Sequence, residues 1–518
     1  MLQETAEKRC VLAKVNTAAV LGIEALPVEV EVDLSPGLPA FTIVGLPDGA
    51  VRESRERVKA AIKNSGYSFP TQRITINLAP ADLKKDGTGF DLPIAIGILL
   101  AQGLLPSEPF ADWILVGELS LDGALKAARG LLPMAFLARE KGWSGLVAPE
   151  ANASEAAVIK EVSTYAATSL AQVVEHFSGR QSLPLARPIP SAPPDIEEDF
   201  ADILGQASAK RALEVAAAGG HNLLMIGPPG SGKTMLSRRL PGILPPLSRE
   251  ESLETSRIYS VAGLLKDGAL IERRPFRSPH HTVSDAGLIG GGTVPRPGEL
   301  SLAHNGVLYL DELPEFHRHV LEALRQPLEE GRVTISRASI SITYPARVQL
   351  LASMNPCPCG HLGDRLHACT CGPREIARYR SRISGPLLDR IDIHIEVPAL
   401  PVEELSNWSR GESSEVIRER VMEARERQNS RLKEVGLWLN CQMGPRELAK
   451  FAKLRGKARE LLDKAARRLG FSARAYHRVI KISRTIADLA GSEEIDAAHI
   501  AEAIQYRSLD RRISGLSS

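Results

Sequence analysis

A lysine beside a hydroxyl, at the end of a glycine-rich turn, can hold a triphosphate together with its magnesium ion. Gly227-Pro228-Pro229-Gly230-Ser231-Gly232-Lys233-Thr234 has that make-up in the order G-x-x-x-x-G-K-[ST]. The glycines allow backbone N–H groups to curl around phosphate oxygens. Lys233 is placed to reach the β- and γ-phosphates, and Thr234 to ligate Mg²⁺. The apolar run Leu223-Leu224-Met225-Ile226 before it reads as a buried strand. Met235 onward reads as a helix whose N-terminal dipole also favours an anion.

Two further strand ends carry polar groups that fit the same chemistry. Val307-Leu308-Tyr309-Leu310 ends in Asp311-Glu312. Asp311 would complete the Mg²⁺ shell and Glu312 would polarise the attacking water, since phosphoryl transfer needs mainly positioning and charge stabilisation. Leu350-Leu351-Ala352-Ser353-Met354 ends in Asn355, whose amide can orient that water, or can simply open a turn before Pro356.

The cysteines make a second constellation. Of six in 518 residues, Cys357, Cys359, Cys369 and Cys371 fall within fifteen positions, around a stretch containing His361 and His367. Two C-x-C pairs can close a tetrahedral Zn²⁺ site, although finger pairs more often read C-x₂-C. A redox-sensitive or metal-free loop is the alternative. A bound metal would staple the insertion directly after Asn355 and so couple it to the nucleotide site.

These residues need a scaffold of more than one core, because the chain is too long for a single domain. No apolar run is long enough to span a bilayer, and the early charges Glu4, Glu7, Lys8 and Arg9 do not fit a leader, so a cytoplasmic protein without membrane contact is expected. A net charge of +2 leaves nucleic-acid binding to local surfaces.

The order of elements suggests where the domains lie. Residues 1–179 read as α+β: a period-two strand at Val28–Leu34, an amphipathic helix from Ala50 to Ser65, a strand at Arg73–Leu78, a buried helix from Leu92, one strand at Ile114–Leu119 and a helix from Leu131 to Lys141. Residues 180–199 form a Pro-rich linker. An α/β ATPase core follows over 200–400, with the Cys-rich insertion at 357–371, and a helical lid over 401–518.

Lys85-Asp86-Gly87-Thr88-Gly89 and Gly117-Glu118-Leu119-Ser120-Leu121-Asp122-Gly123 resemble the Lon-protease-like domain carried by Mg-chelatase-related proteins. That fold's proteases use a Ser-Lys dyad. Here Gly89 and Leu132 stand at those positions, so a non-proteolytic domain is expected, with Thr88 a distant alternative nucleophile.

With Gly205-Gln206 ahead of the phosphate loop, 205–509 resembles an AAA+ module, and the whole chain is similar to the ComM/YifB family of Mg-chelatase-like ATPases. The resemblance implies ATP as nucleotide, a Gly-Gln contact to adenine, a homo-hexamer, and DNA branch migration during natural transformation. Gly385-Pro386-Leu387-Leu388-Asp389-Arg390 resembles the stretch of MCM helicases and Mg-chelatase ATPases that carries an arginine finger, otherwise a surface salt bridge. Arg474 matches the sensor-2 arginine of the lid, with Arg478 the weaker candidate. Arg337 falls near the DNA-touching tip of the MCM presensor hairpin, or is a solvent-facing arginine. The Gly-rich stretch from Phe276 to Gly298 matches an insert that faces the ring pore in such ATPases. A chelatase-type remodeller, an ATP-dependent protease and a nucleotide-driven assembly switch are the competing functions.

Overall fold

The computed structural model describes residues 12–87, 89–190, 198–265, 268–292, 295–337, 340–364, 367–400 and 411–507. Thr88, the N-terminal charges Glu4 to Arg9, Asp195 and Glu197 of the linker, Ala338 of the hairpin, and the start and end of the lid region lie outside them. The described residues divide into two compact units.

The first unit is built on a mixed seven-stranded sheet in the order Ala40–Val44, Arg73–Ala79, Glu24–Ser35, Ala13–Leu21, Trp113–Leu115, Gly145–Pro149, Ser163–Ala167. The period-two strand becomes Glu24–Ser35, antiparallel to both neighbours, with Val28, Val30 and Val32 buried on one face. Helix Gly49–Asn64 begins where the Asp48 carboxylate accepts the Val51 N–H at 2.8 Å. Helix Asp91–Ala101 is buried almost all round. Its one carboxylate, Asp91, is neutralised by a two-pronged pair with Arg57, Nε to Oδ2 at 2.7 Å and Nη2 to Oδ1 at 3.1 Å.

The single strand expected at Ile114–Leu119 is two, Trp113–Leu115 and Glu118–Leu119, the second pairing with Leu125–Lys126. The chain turns between them at Gly117, where an added Cβ would sit 2.5 Å from Leu125 Cδ2.

Residues 249–271, inside the stretch read from sequence as ATPase core, pack in this first unit. Helix Arg249–Ala262 is fastened there by Ser260, whose hydroxyl donates to Glu155 Oε2 at 2.8 Å and whose carbonyl accepts the Gly130 N–H at 3.2 Å. Leu253 and Leu270 pack on the apolar cluster around Leu131, Leu132 and Ala135. An exposed-looking, charge-rich helix therefore finds its apolar partner in a distant part of the chain.

The second unit carries a five-stranded sheet in the order Phe276–Arg277, Val307–Leu310, Gln349–Met354, Leu223–Ile226, Ile393–Glu396. Every adjacent pair is parallel. Leu223–Ile226, Val307–Leu310 and Gln349–Met354 are buried throughout, as strands covered on both faces must be. Helices Ser414–Leu432, Pro445–Phe451, Gly456–Leu469, Ala473–Leu489 and Ala497–Gln505 follow, and their apolar faces join the same core as the sheet.

Candidate active site

Parallel strands send all their carboxyl ends to one edge of the sheet, the usual place for a ligand in an open α/β fold. Here three adjacent strands end in Gly227, Asp311 and Asn355, with Ile226 opposite Met354 and Leu310 opposite Ala352. Register alone therefore gathers the phosphate loop, the acids and the amide.

The phosphate loop leaves its strand against the backbone of the next one. A Cβ on Gly227 would lie 2.1 Å from the Val397 carbonyl oxygen, so only glycine fits. Pro228, Pro229, Gly230, Ser231 and Gly232 form the turn, and helix Lys233–Ile243 starts directly after it. Lys233 is 8% exposed; its Nζ donates to the carbonyls of Gly227 and Pro228, both at 2.8 Å, and lies 3.5 Å from Asn355 Oδ1. Burial lowers its pKa, against the opposing pull of Asp311 and Glu312.

Thr234 Oγ1 donates to Asp311 Oδ2 at 2.9 Å. Two neighbouring oxygens on an octahedral Mg²⁺ with bonds near 2.1 Å stand about 3.0 Å apart, so this pair already has the spacing of a magnesium edge. Bound there, Mg²⁺ would neutralise developing phosphate charge. Asp311 Oδ1 accepts from Ser353 Oγ and, at 3.0 Å, from the Glu312 N–H. Burial pushes the Asp311 carboxyl up, but hydrogen bonds from Ser353, Thr234 and Tyr309 outweigh it and hold the pKa below the usual range.

Glu312 has φ of +53°, a left-handed conformation uncommon outside glycine, directly after the strand ends. Its carboxylate is half exposed and 3.6 Å from His281 Nδ1.

Sequence reasoning missed Ser353, Tyr309 and His281. Ser353 is fully buried, accepts from Tyr309 OH at 3.1 Å and donates to Asp311. A serine in an otherwise apolar strand, one pairing position from the acids, was the available signal. Gln206 also has a role not evident from sequence: its side-chain amide donates to Ser231 O at 3.3 Å and Pro398 O at 2.7 Å, clipping the phosphate loop to the segment that follows the last strand. Asn222, ahead of the phosphate-loop strand, donates to Arg390 O and accepts the Leu350 N–H, both at 2.8 Å.

Arg390 and Arg474 are not joined to this cluster by any contact among the described residues. Arg390 is 12% exposed and donates to Arg325 O at 2.8 Å and Pro386 O at 2.6 Å, with Nη2 2.7 Å from Glu329. Arg474, 66% exposed, faces Asp389 at 3.8 Å; Arg478 reaches Asp389 at 3.9 Å and Asp392 at 3.2 Å. Asp389 thus links the finger-like loop to the helical region. Arg337 ends the first strand of an exposed hairpin, Arg332–Arg337 with Ile340–Pro345.

The four thiols come together after Asn355. Cys357 Sγ is 3.4 Å from Cys359 Sγ, and both are 3.6 Å from Cys369 Sγ; all four sulfurs lie within 4.8 Å of one another. A tetrahedral Zn²⁺ with bonds near 2.3 Å asks for sulfurs about 3.8 Å apart, so the cluster is compatible with a zinc site. In the first unit, Leu132 is fully buried and Gly89 packs on Val116, so neither supplies a nucleophile or base.

Three family models match in succession: subunit ChlI of Mg-chelatase over 30–152, magnesium chelatase subunit ChlI over 199–405, and its C-terminal part over 411–507. Competence protein ComM of Haemophilus influenzae is 47% identical over 519 residues, covering 98% of this chain and 99% of that one. The chain belongs to the ComM/YifB family. YifB of Escherichia coli is 46% identical, covering 96% of this chain and 98% of its own. The magnesium-chelatase 38 kDa subunit of Rhodobacter capsulatus is 28% identical over 44% of this chain and 69% of its own. The Mg-chelatase-like AAA+ domain that the ComM/YifB family carries implies ATP hydrolysis with Mg²⁺. Among the described residues no helix is long and apolar enough to cross a membrane.

Proposed function

We propose that this chain is an ATP-driven DNA motor, a homo-hexameric helicase that promotes branch migration of incoming DNA, as the competence label of its Haemophilus relative suggests. ATP and Mg²⁺ are bound by residues 227–234 and Asp311, and Glu312 and Asn355 direct the water. A Zn²⁺ occupies the four-cysteine cluster. Arg390 acts in trans on the neighbouring subunit's nucleotide, and Arg474, on the helical region, reaches the γ-phosphate as that region closes. The first unit is a non-proteolytic Lon-like domain.

The hairpin is the observation that carries the DNA reading. Val333, Ile335, Ile342 and Tyr344 face inward. Arg332, Thr334, Ser336, Ser341 and Thr343 share the outer face, with Thr334–Thr343 and Ser336–Ser341 hydrogen-bonded across the strands, while Arg337 stands on the face of Val333 and Ile335 but is exposed at the strand's end. Guanidinium and hydroxyl groups of this kind contact phosphate without reading sequence. Arg337 also lies beside the glycine-rich turn at 290–292: a Cβ on Gly291 would be 3.6 Å from its Nη2. Arg390 grips Arg325 and Glu329 of helix Arg325–Glu330, which leads straight into this hairpin. That gives a finger acting on a neighbour's nucleotide a direct route to the DNA contact.

ATP hydrolysis by the purified chain, with and without single-stranded and forked DNA, tests the proposal. DNA should accelerate turnover; Arg337→Ala should lose the acceleration and keep basal turnover, while Lys233→Ala loses both. Turnover indifferent to every DNA tested would refute it. The partial likeness to the magnesium-chelatase subunit favours a protein-remodelling ATPase as the second reading, which predicts stimulation by a protein partner instead.

A further inference from the structure

We propose that the four-cysteine loop is a metal-dependent brace on the phosphate loop: Zn²⁺ held by Cys357, Cys359, Cys369 and Cys371 keeps Gly360 seated against Pro229 and so maintains the nucleotide-binding conformation. The proposal rests on the nucleotide-site reading above and adds to it a second metal with a mechanical role.

The contact is direct. Gly360 follows the first C-x-C pair, with φ of +85° and its N–H donating to Cys357 O at 3.0 Å. A Cβ there would fall 2.6 Å from Pro229 Cδ and 2.9 Å from its Cγ, with Asn355 Cγ at 4.0 Å. The glycine backbone therefore lies against the phosphate turn and beside the amide that faces Lys233. Pro229 has no N–H to donate, and its ring offers this point of the turn a packing surface.

Both ends of the cysteine segment are fixed. It leaves strand Gln349–Met354 through Asn355, and Cys371 is followed by helix Pro373–Arg380, whose Arg380 donates through Nε and Nη2 to Pro356 O at 3.2 and 3.0 Å. Between them, the described residues of 357–372 form neither helix nor strand. Thiol hydrogen bonds are weak, so sulfurs gathered this closely are better explained as ligands. An all-thiolate set selects Zn²⁺ over the Mg²⁺ proposed at Thr234 and Asp311. The Cys359 N–H points to Cys371 Sγ at 3.4 Å, a donor that would steady a charged thiolate.

A braced turn enters the bound state already ordered, whereas an unbraced one must be ordered by the nucleotide. Metal loss should therefore weaken nucleotide binding, on the order of tenfold, without removing any phosphate ligand.

The experiment measures zinc content by elemental analysis and affinity for a fluorescent ATP analogue with Mg²⁺, on the full chain. Wild type should carry one zinc per chain on this proposal. Cys369→Ser combined with Cys371→Ser should lose it and bind the analogue about tenfold more weakly. Should that variant not fold, chelator-stripped wild type gives the same comparison, and added Zn²⁺ should restore affinity. Gly360→Ala should keep the zinc yet lose affinity. His361, Asp364 and His367 form a second possible donor set in the same loop; His367→Ala should retain both zinc and affinity. The brace is refuted if the protein holds no zinc, if zinc follows His367 rather than the cysteines, or if zinc leaves with affinity unchanged. Failure of wild type and Lys233→Ala alike to bind the analogue would instead refute the nucleotide site.

Discussion

Removing one buried hydroxyl, by Ser353→Ala, tests whether Asp311 is held by its surroundings or merely follows the end of its strand. Ser353 donates to Asp311 and accepts from Tyr309, and its own exposure is 0%. A hydrogen bond to a charged group contributes about 1.5–3 kcal/mol. Asp311 is itself partly exposed, which favours the lower end, about 1.5 kcal/mol. Tyr309 is not stranded, because its hydroxyl also reaches Thr234 Oγ1 at 3.4 Å, so no further penalty for an unpaired buried donor is added.

Part of that loss should appear as stability; if all of it did, the melting temperature would fall by roughly 3–6 °C at about 2–4 °C per kcal/mol, which bounds that part. Part should appear in Mg²⁺ dependence, with the magnesium requirement for ATP turnover raised by up to about tenfold. The sign with pH is fixed. Asp311 has a depressed folded pKa, so its contribution is present above the unfolded value near 4 and fades as pH falls below it. The variant's deficit should be constant from pH 7 to 5 and shrink below about 4. Thermal unfolding across that range, with a magnesium titration of turnover at neutral pH, measures both parts. An unchanged melting temperature together with an unchanged magnesium requirement would refute the positioning argument.

Glu312→Gln keeps the shape of the side chain but removes its charge, and should cut hydrolysis by about 10²–10⁴-fold while nucleotide binding persists; equal loss of both in a binding and turnover assay would remove Glu312 from the water-activating role. Asp392 is held near a pKa of about 2: burial pushes it up, but His221, at 3.1 Å, and Arg478 outweigh that. The pair therefore stabilises the fold above about pH 4 and the contribution disappears between about 4 and 2, worth about 2 kcal/mol. His221→Leu should flatten that part of the acid-unfolding curve. Arg57→Leu leaves Asp91 buried with the Leu119 N–H at 3.2 Å and no cation, and should destabilise the first unit by about 3–5 kcal/mol, read as its denaturant midpoint.

Local sequence was enough to single out the phosphate-loop motif, the Asp311-Glu312 pair and Asn355 as candidates, because each combines a short apolar strand with the polar groups at its end. It also located helix Leu131–Lys141, whose bounds agree in both readings, since a buried helix between Gly130 and Gly142 is marked by its own composition. It named the cysteines, which are informative simply by being close together.

Tertiary structure decided the rest, wherever the deciding partner is far along the chain. Ser353, Tyr309 and Thr234 surround Asp311 only because parallel strands bring their ends together. Helix Arg249–Ala262 joins the first unit because Glu155 and the Leu131 cluster await it more than a hundred residues upstream. Gly360 meets Pro229 across a loop that no local pattern describes. Periodicity and motif spacing report what a segment can bury and which ligand it suits. They carry no information about which distant surface completes it, because that depends on strand order and packing, which only the folded chain defines.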